Sequence, residues 1–500
     1  MSDIKTVLRD MGGIFIITGF VSLIAVFVPI FFSEFKPFVE FDGIFPLVLT
    51  STIFFGLGLP LYYILHNADP ANFKSAMVTA ALSWLIVSII GSIPFCLIPY
   101  NIKTLSFMDP LSAFFESMSG WTGTGLTMVA NEDLLPKTLQ FWRTFIQWIG
   151  GVGVIVLTLS ILARPGTGSY VLYRGEARDQ KTHPSVKSTV RTIWWIFLLY
   201  TIIGITALTV AGFLTDDGMT PWQAFNHAMT GIATGGFSVT DDSMASFGII
   251  SQSIIIILMI LGSIAFAAHY DLLRGKVTRF LKDAQFRIMI VLIIVGVSIL
   301  LLLTYLNNES TPLAAIIFQF ISALSCTGFS SVNNLGSWSE SFKLILSFAM
   351  IIGGAAGSTA GGIKLFRALL LYKGVGWRIK QAISTPHRVF VHKLGDKPLS
   401  KENVMDLINE AAIISFMWLI MLSIGVIILM VLYPNETLGN IFFEVSSAQG
   451  NVGLSIGITS MSMFPLAKIV LILCMWIGRL EIIPIIVLLK SIFGIRKNLL

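Results

Sequence analysis

The chain has 500 residues, of which 55% are hydrophobic and only 12% charged, with a mean hydropathy of +0.83 and a formal net charge of +6. A soluble domain carries about twice that share of charge, so composition excludes a water-soluble protein. Nucleic acid is not implied either, because the basic residues are confined to particular loops.

Taken in chain order, two apolar helices lead, about Gly12–Phe35 and Pro46–Leu65. The first run is long and lacks a small-residue cleavage site, so no cleavable signal peptide is expected. A pattern of long apolar helix, short half-apolar segment and long apolar helix then repeats four times. The first helices fall near Ser75–Ile98, Thr192–Leu214, Phe286–Leu306 and Ile408–Tyr433, the closing ones near Leu139–Ala163, Phe247–Leu273, Ser341–Tyr372 and Phe464–Leu489. Windows such as Thr192–Leu214, Ile288–Leu306 and Ala411–Tyr433 hold no charge, over the roughly 20 apolar residues a span requires. The expected units are residues 1–70 for the leading pair, then repeats at 71–165, 190–274, 284–375 and 404–495. The expected fold is an all-α polytopic membrane protein with four pseudo-symmetric helix–pore-loop–helix repeats around one central pore, plus two extra N-terminal transmembrane helices.

Charge sets the orientation. Arg164–Arg191 holds six Lys/Arg against two acids, Arg274–Arg287 five against one, and Lys364–Lys401 nine against one. Leu214–Ser246, Asn307–Glu340 and Pro434–Ser462 contain no Lys or Arg. Positive loops face the cytoplasm, so ten spans place both termini there. Cys96, Cys326 and Cys474 show no metal or disulfide spacing.

The segments between paired helices carry the chemistry. They read Phe115-ESMSGWTGT-Gly125, Phe225-NHAMTGIAT-Gly235, Phe318-QFISALSCT-Gly328 and Phe443-EVSSAQGNV-Gly453. Thr124, Thr234 and Thr327 precede three of the glycines, and Val452 the fourth. Pro110, Pro221 and Pro312 stand near three of the starts, where proline suits a first helical turn. Each segment is therefore expected to be a half-helix entering from outside and ending in extended backbone. Non-helical backbone at membrane depth survives only when buried in protein or lining a water-filled cavity. Four such stretches closing on one axis can replace an ion's hydration shell with carbonyl oxygens, and inward half-helix C-termini add partial negative charge. Both favour a cation.

Deeper in the membrane the closing helices share glycines at a similar distance past the loop glycine: Gly150 and Gly151, Gly262, Gly353 and Gly354, and Gly478. Repeat 3 continues as Ile352-GGAAGSTAGG-Ile363. Each interior glycine costs about 1 kcal/mol in a helix, so this run is expected to break the helix and cross the pore. Repeat 4 places Arg479 and Glu481 inside an apolar run. An intramembrane arginine marks function and needs a partner; Arg479 is expected to reach the glycine run near Ser358 and Thr359 and hold the barrier shut.

Two other classes compete with this reading. A Na+- or H+-coupled symporter places ionisable groups near the midplane, where only Arg479, Glu481 and the pore-loop Glu116 and Glu444 qualify; passive flux is favoured. Glu116 and Glu444 read as capping or vestibule charges. An embedded enzyme finds no support in six scattered histidines without a metal or catalytic spacing, and His227 reads as a vestibule residue.

The loops TGTGLT, IATGGF, SCTGF and NVGLS, with GGAAGSTAGGIK and WIGRLE, resemble the Trk/Ktr/HKT superfamily of potassium transporters, most closely the TrkH-like membrane subunits of bacterial Trk systems. The resemblance covers nearly the whole chain, the extra helix pair included. It implies a selectivity filter at Thr124, Gly125, Ala233, Thr234, Gly235, Thr327, Gly328, Asn451, Val452 and Gly453. There K+ is the bound permeant ion on backbone carbonyls, without organic cofactor. It implies a gate at Gly353, Gly354, Gly357, Ser358, Thr359, Gly361 and Gly362 with Arg479. It further implies potassium uptake across a bacterial inner membrane, a homodimer, and a cytosolic nucleotide-binding, TrkA-like regulatory subunit, to which the basic Lys364–Lys401 loop would contribute docking surface.

Overall fold

A computed structural model describes residues 2–153, 186–216, 218–384, 392–394, 397–399 and 401–493. Outside the described residues lie the expected end of the first repeat's closing helix at Ala163, the basic segment as far as residue 185, and the last residues of the 404–495 repeat. Most of the third basic loop after residue 384 lies outside them as well.

The leading pair is α1 (Ser2–Ala25), its short continuation α2 (Phe27–Phe31), and α3 (Ile44–Ile64). α1 and α3 cross where Gly12 meets Gly58; a Cβ on Gly12 would lie 2.9 Å from the Gly58 carbonyl oxygen. Small residues allow backbones this close in a membrane.

Repeat 1 comprises α4 (Phe73–Gly91), α5 (Ile93–Leu97), the half-helix α6 (Pro110–Thr122) and α7 (Lys137–Val152). Repeat 2 comprises α8 (Val186–Leu214), the half-helix α9 (Pro221–Ile232), α10 (Ile249–Ser263) and α11 (Phe266–Leu273). After the connecting α12 (Val277–Lys282), repeat 3 runs through α13 (Ala284–Leu306), the half-helix α14 (Leu313–Leu324), α15 (Glu340–Ile352) and α16 (Leu365–Ala382). A small antiparallel ribbon, β1 (His392–Leu394) with β2 (Lys397–Leu399), is the one sheet among the described residues. Repeat 4 is α17 (Lys401–Leu432), the half-helix α18 (Leu438–Gln449), α19 (Pro465–Leu480) and α20 (Ile483–Phe493).

Three of the four half-helices start where the sequence supplies a side-chain cap. Asp109 accepts from the N–H groups of Leu111 and Ser112 ahead of Pro110, Thr220 forms a capping box with Gln223 ahead of Pro221, and Thr437 accepts from the Asn440 N–H. Such caps satisfy donors that have no partner within the helix. Twelve or thirteen residues reach about 18 Å, roughly half a bilayer. Each half-helix packs on its own repeat and on the closing helix of the preceding one: α9 on α7, α14 on α10, α18 on α15, and α6 back on α19. The ring is closed.

Among the described residues, six helices are long and apolar enough to cross a membrane, or eight if two bent pairs each count as one span. Ten spans were expected from the sequence. The other two closing helices fall short for separate reasons: α7 leaves the described residues after Gly153, and α15 and α16 are separated by residues 353–364. Sequence reasoning expected a break in repeat 3 alone. Repeats 2 and 4 bend too, by 107° between α10 and α11 and by 112° between α19 and α20. At the first bend the carbonyls of Gly262 and Ser263 accept from Thr359 and Ala355 of repeat 3 instead of from their own helix. At the second, Glu481 and Ile482 adopt positive φ.

Candidate functional site

The half-helices stop alike. Gly123, Thr234, Cys326 and Asn451 all take left-handed backbone, with φ of 71°, 49°, 54° and 51°, and the glycine two residues later is again positive: Gly125, Gly236, Gly328 and Gly453 at 91°, 79°, 92° and 101°. L side chains rarely adopt these angles. The four glycines approach one another's loops in cyclic order. A Cβ on Gly125 would collide with the Gly235 carbonyl oxygen, on Gly236 with that of Thr327, on Gly328 with that of Val452, and on Gly453 with that of Thr124. Four backbones thus meet around one axis, and there is no room for a side chain between them.

This geometry shifts the register of the second loop. Gly236, not Gly235, stands where Gly125, Gly328 and Gly453 stand, and Gly235 takes the place of Thr124, Thr327 and Val452. The backbone hydrogen bonds agree: Thr124, Gly235, Thr327 and Val452 donate to the carbonyls of Ser119, Thr230, Ser322 and Ser447. Ala233 ends α9 and Thr234 occupies the left-handed turn. Counting from Phe225 misplaced the loop by one residue; the equivalent of Phe115 is Asn226. A stricter spacing was available. A polar residue, Ser/Thr three later, glycine six after that and a hydroxyl two beyond recur as Glu116-Ser119-Gly125-Thr127, His227-Thr230-Gly236-Ser238, Gln319-Ser322-Gly328-Ser330 and Glu444-Ser447-Gly453-Ser455.

Those polar residues back the ring. The hydroxyls of Ser119, Ser322 and Ser447 accept from the N–H groups of Gly125, Gly328 and Gly453 at 3.0–3.1 Å. Glu116, His227, Gln319 and Glu444 are fully buried, so Glu116, Glu444 and His227 are not the vestibule groups that the sequence suggests. In loop 2, where Gly235 stands in place of a larger residue, Gln147 of α7 adds a clamp: its amide donates to the Gly235 carbonyl at 2.7 Å and accepts from the Phe237 N–H at 2.9 Å. Asn451 turns sideways, donating to the Thr124 hydroxyl and the Met475 carbonyl, both at 2.9 Å.

Outside the ring lies a cavity of about 190 Å³ bordered by Gly125, Gly236, Gly328 and Gly453, with Asp241, Asp242 and Glu132 on its walls. Arg143 is buried beside it, donating to Glu116 at 2.7 Å and standing 3.8 Å from Glu132. Burial pushes the Glu132 carboxyl up to about 8, against the pull of Arg143 and with the help of Glu116 and Asp241. The arginine's nearer bond is to Glu116, so desolvation dominates at Glu132.

Beneath the ring, residues 353–364 leave the helix with positive φ at Gly353, Gly357, Gly362 and Lys364. The segment fits against the other repeats. Thr359 donates its hydroxyl to the Gly262 carbonyl at 2.8 Å and stands 2.9 Å from the Thr234 hydroxyl, while a Cβ on Gly361 would collide with the Gly450 carbonyl oxygen. Gly354 packs on Ser263, and Ser358 bonds the Ala355 carbonyl inside the segment's own turn. Arg479 donates to the Thr359 carbonyl at 3.2 Å, to Gly151 at 2.9 Å and to Gly150, with Trp84 against its guanidinium. Lys364 bonds the Ala360 carbonyl from below, and Arg367 pairs with Glu481. Gly150, Gly262 and Gly478 share a role: each leaves space for the carbonyl of Trp121, Ile232 or Gln449 at the end of its own half-helix.

Residues 47–493 match the family model TrkH, described as a cation transport protein. An uncharacterized cation transporter of Methanocaldococcus jannaschii is 35% identical over 98% of this chain and 96% of its own. The Trk system potassium uptake protein TrkH of Escherichia coli K12 is 32% identical, covering 89% of this chain and 91% of its own. The chain belongs to the TrkH family. The crystal structure of the potassium transporter TrkH from Vibrio parahaemolyticus superposes with a TM-score of 0.80 at 26% identity, over 98% of this chain and 99% of that one. The TrkH family consists of ion transporters rather than enzymes, and this member is a polytopic membrane protein of the TrkH fold.

In this TrkH-family chain the expected gate residues Gly353, Gly354, Gly357, Ser358, Thr359, Gly361 and Gly362 lie in one segment under the ring, and Arg479 reaches it. Gly236, Gln147, Gln319, Lys364 and Arg367 escaped sequence reasoning, and Glu116, His227 and Glu444 were given a different role. For Gly236 the double glycine of IATGGF was a visible signal.

Proposed function

We propose that this chain is a potassium uptake protein in which the ion passes down its gradient through the four-loop ring, with residues 353–364 as an intramembrane gate. The cyclic close approach of four positive-φ glycines carries this reading, because main-chain oxygens at such a constriction replace a dehydrated cation's water. The potassium transporters among its relatives support the choice of ion. The cavity outside, with Asp241 and Asp242 on its walls, gathers cations at the entrance. Residues Thr124, Gly235, Thr327 and Val452 offer K+ their carbonyls, alongside the glycines that follow them. Arg479 holds the gate segment against α7 and places a positive charge beneath the ring.

The remaining assignments extend the same reading. The membrane is a bacterial inner membrane, with both termini cytoplasmic. The chain works as a homodimer with a TrkA-like nucleotide-binding subunit on the cytosolic face. α16 is suited to docking it, since exposed Tyr372, Val375, Ile379 and Ile383 lie beside exposed Arg378 and Lys380. Rubidium uptake by the purified chain in liposomes under a clamped potential tests the core of the proposal. Uptake should follow the electrochemical gradient of rubidium alone and resist competing Na+. A requirement for a Na+ or H+ gradient would replace it with coupled symport.

A further inference from the structure

Behind each filter glycine one buried side chain ties the half-helix to the strand that returns from the ring, and the tie spans the same distance in all four repeats. Glu116 accepts from the Thr127 hydroxyl at 3.0 Å and the Met128 N–H at 2.7 Å. Glu444 accepts from the Ser455 hydroxyl at 2.8 Å and the Ile456 N–H at 3.1 Å. Gln319 donates to the Ser330 hydroxyl at 3.1 Å and accepts from the Ser331 N–H at 3.2 Å. His227 stands 2.9 Å from the Ser238 hydroxyl. We propose that Glu116, His227, Gln319 and Glu444 are positioning residues for ion selectivity, acting through the returning strands to fix the spacing of the filter carbonyls.

Size discrimination at a ring of carbonyls needs the ring to resist shrinking around a smaller ion. The loops have no regular secondary structure to supply that stiffness, so side chains must. All four struts are fully buried, where a lost bond is not replaced by water. They are also unequal. Repeats 4 and 1, neighbours around the ring, use carboxylates, whose hydrogen bonds are about twice as strong as neutral ones; Glu116 is further anchored by Arg143 and Glu444 by the Thr459 N–H at 3.0 Å. Repeats 2 and 3 use neutral groups, and loop 2 alone receives the Gln147 clamp. Loop 3 is therefore the softer side.

This inference rests on the potassium-filter reading, and the experiment separates the two. The full chain in liposomes is assayed for rubidium and sodium uptake, with thermal unfolding of each variant measured in parallel. Glu444→Leu should lower the rubidium-to-sodium ratio about tenfold, the equivalent of ~1.4 kcal/mol, and Gln319→Leu about threefold. Glu444→Gln, which keeps an acceptor for the Ile456 N–H, should restore most of the preference. Ser455→Ala and Ser330→Ala remove one arm each with little change in volume, and they carry the test if Glu444→Leu fails to fold. Folded variants with an unchanged ratio would overturn the struts' role. A wild-type chain without preference for rubidium would overturn the filter reading itself.

Discussion

The ring and the layer beneath it are built on opposite principles. At the ring every repeat uses a left-handed turn, a positive-φ glycine and a buried strut, and three of the four place a serine hydroxyl behind the glycine N–H. Most of these bonds join residues 5 to 12 apart, so each loop is shaped within its own repeat. Beneath it the closing helices depart from regular helix in different ways, and the segment 353–364, the proposed gate, is held by bonds between repeats, from Arg479, Gly262 and Thr234. Repetition makes the first layer rigid and over-determined. The second depends on a few unique contacts, whose loss releases one segment without dismantling the rest. A low-stability element is what a moving part requires.

The comparison can be broken at either layer. Gly328→Asp should have the largest effect, cutting rubidium uptake on the order of a hundredfold, since strain of ~1–3 kcal/mol at positive φ adds to a collision with Val452. Gly336→Asp, where a Cβ would meet the Asn334 side chain at 3.0 Å and Ile456 at 3.1 Å, with no overlap under 3 Å and no positive φ, should change uptake by less than about twofold. Equal effects at the two sites would refute the ring as the constriction. Arg479→Ala should raise basal uptake of the chain alone about tenfold, as charge-assisted bonds contribute ~1.5–3 kcal/mol, while leaving the rubidium-to-sodium ratio intact. An unaltered leak would sink the latch.

Thr359→Ala should have a smaller effect in the same direction, about threefold, because it removes neutral hydroxyl contacts worth ~1 kcal/mol. The smallest effect belongs to the entrance. With its carboxyl pushed up to about 8, Glu132 is protonated at neutral pH and gains charge as pH rises through that value. Uptake from dilute rubidium should therefore increase from pH 7 to 9 by up to about twofold, because the ~1 kcal/mol between charges 4 Å apart in water is cut further by separation and by salt. Glu132→Gln should flatten that rise, and a rise retained in the variant would assign it elsewhere.

The pore segments and the glycine run in repeat 3 were legible because each is local: caps, hydropathy and glycine density act on neighbouring residues. Gly125, Gly328 and Gly453 were found in this way. Gly235 was assigned a place that belongs to Gly236, since an aromatic-to-glycine count ignores which donor each backbone group meets. Glu116, His227 and Glu444 were taken for solvent-facing groups because polarity by itself does not reveal a buried hydroxyl 11 residues away. The bends in repeats 2 and 4 were invisible for a similar reason: the carbonyls freed in α10 are satisfied by another repeat.

What the sequence alone determined was the membrane class, the fourfold repeat and the half-helix segments within it; these depend on composition and period along one stretch of chain. The tertiary structure decided the loop register, the struts behind the ring and the contacts of Arg479 with Gly150 and Thr359, residues 329 and 120 positions away. A buried polar group takes whichever partner the fold delivers, and no local pattern names it in advance.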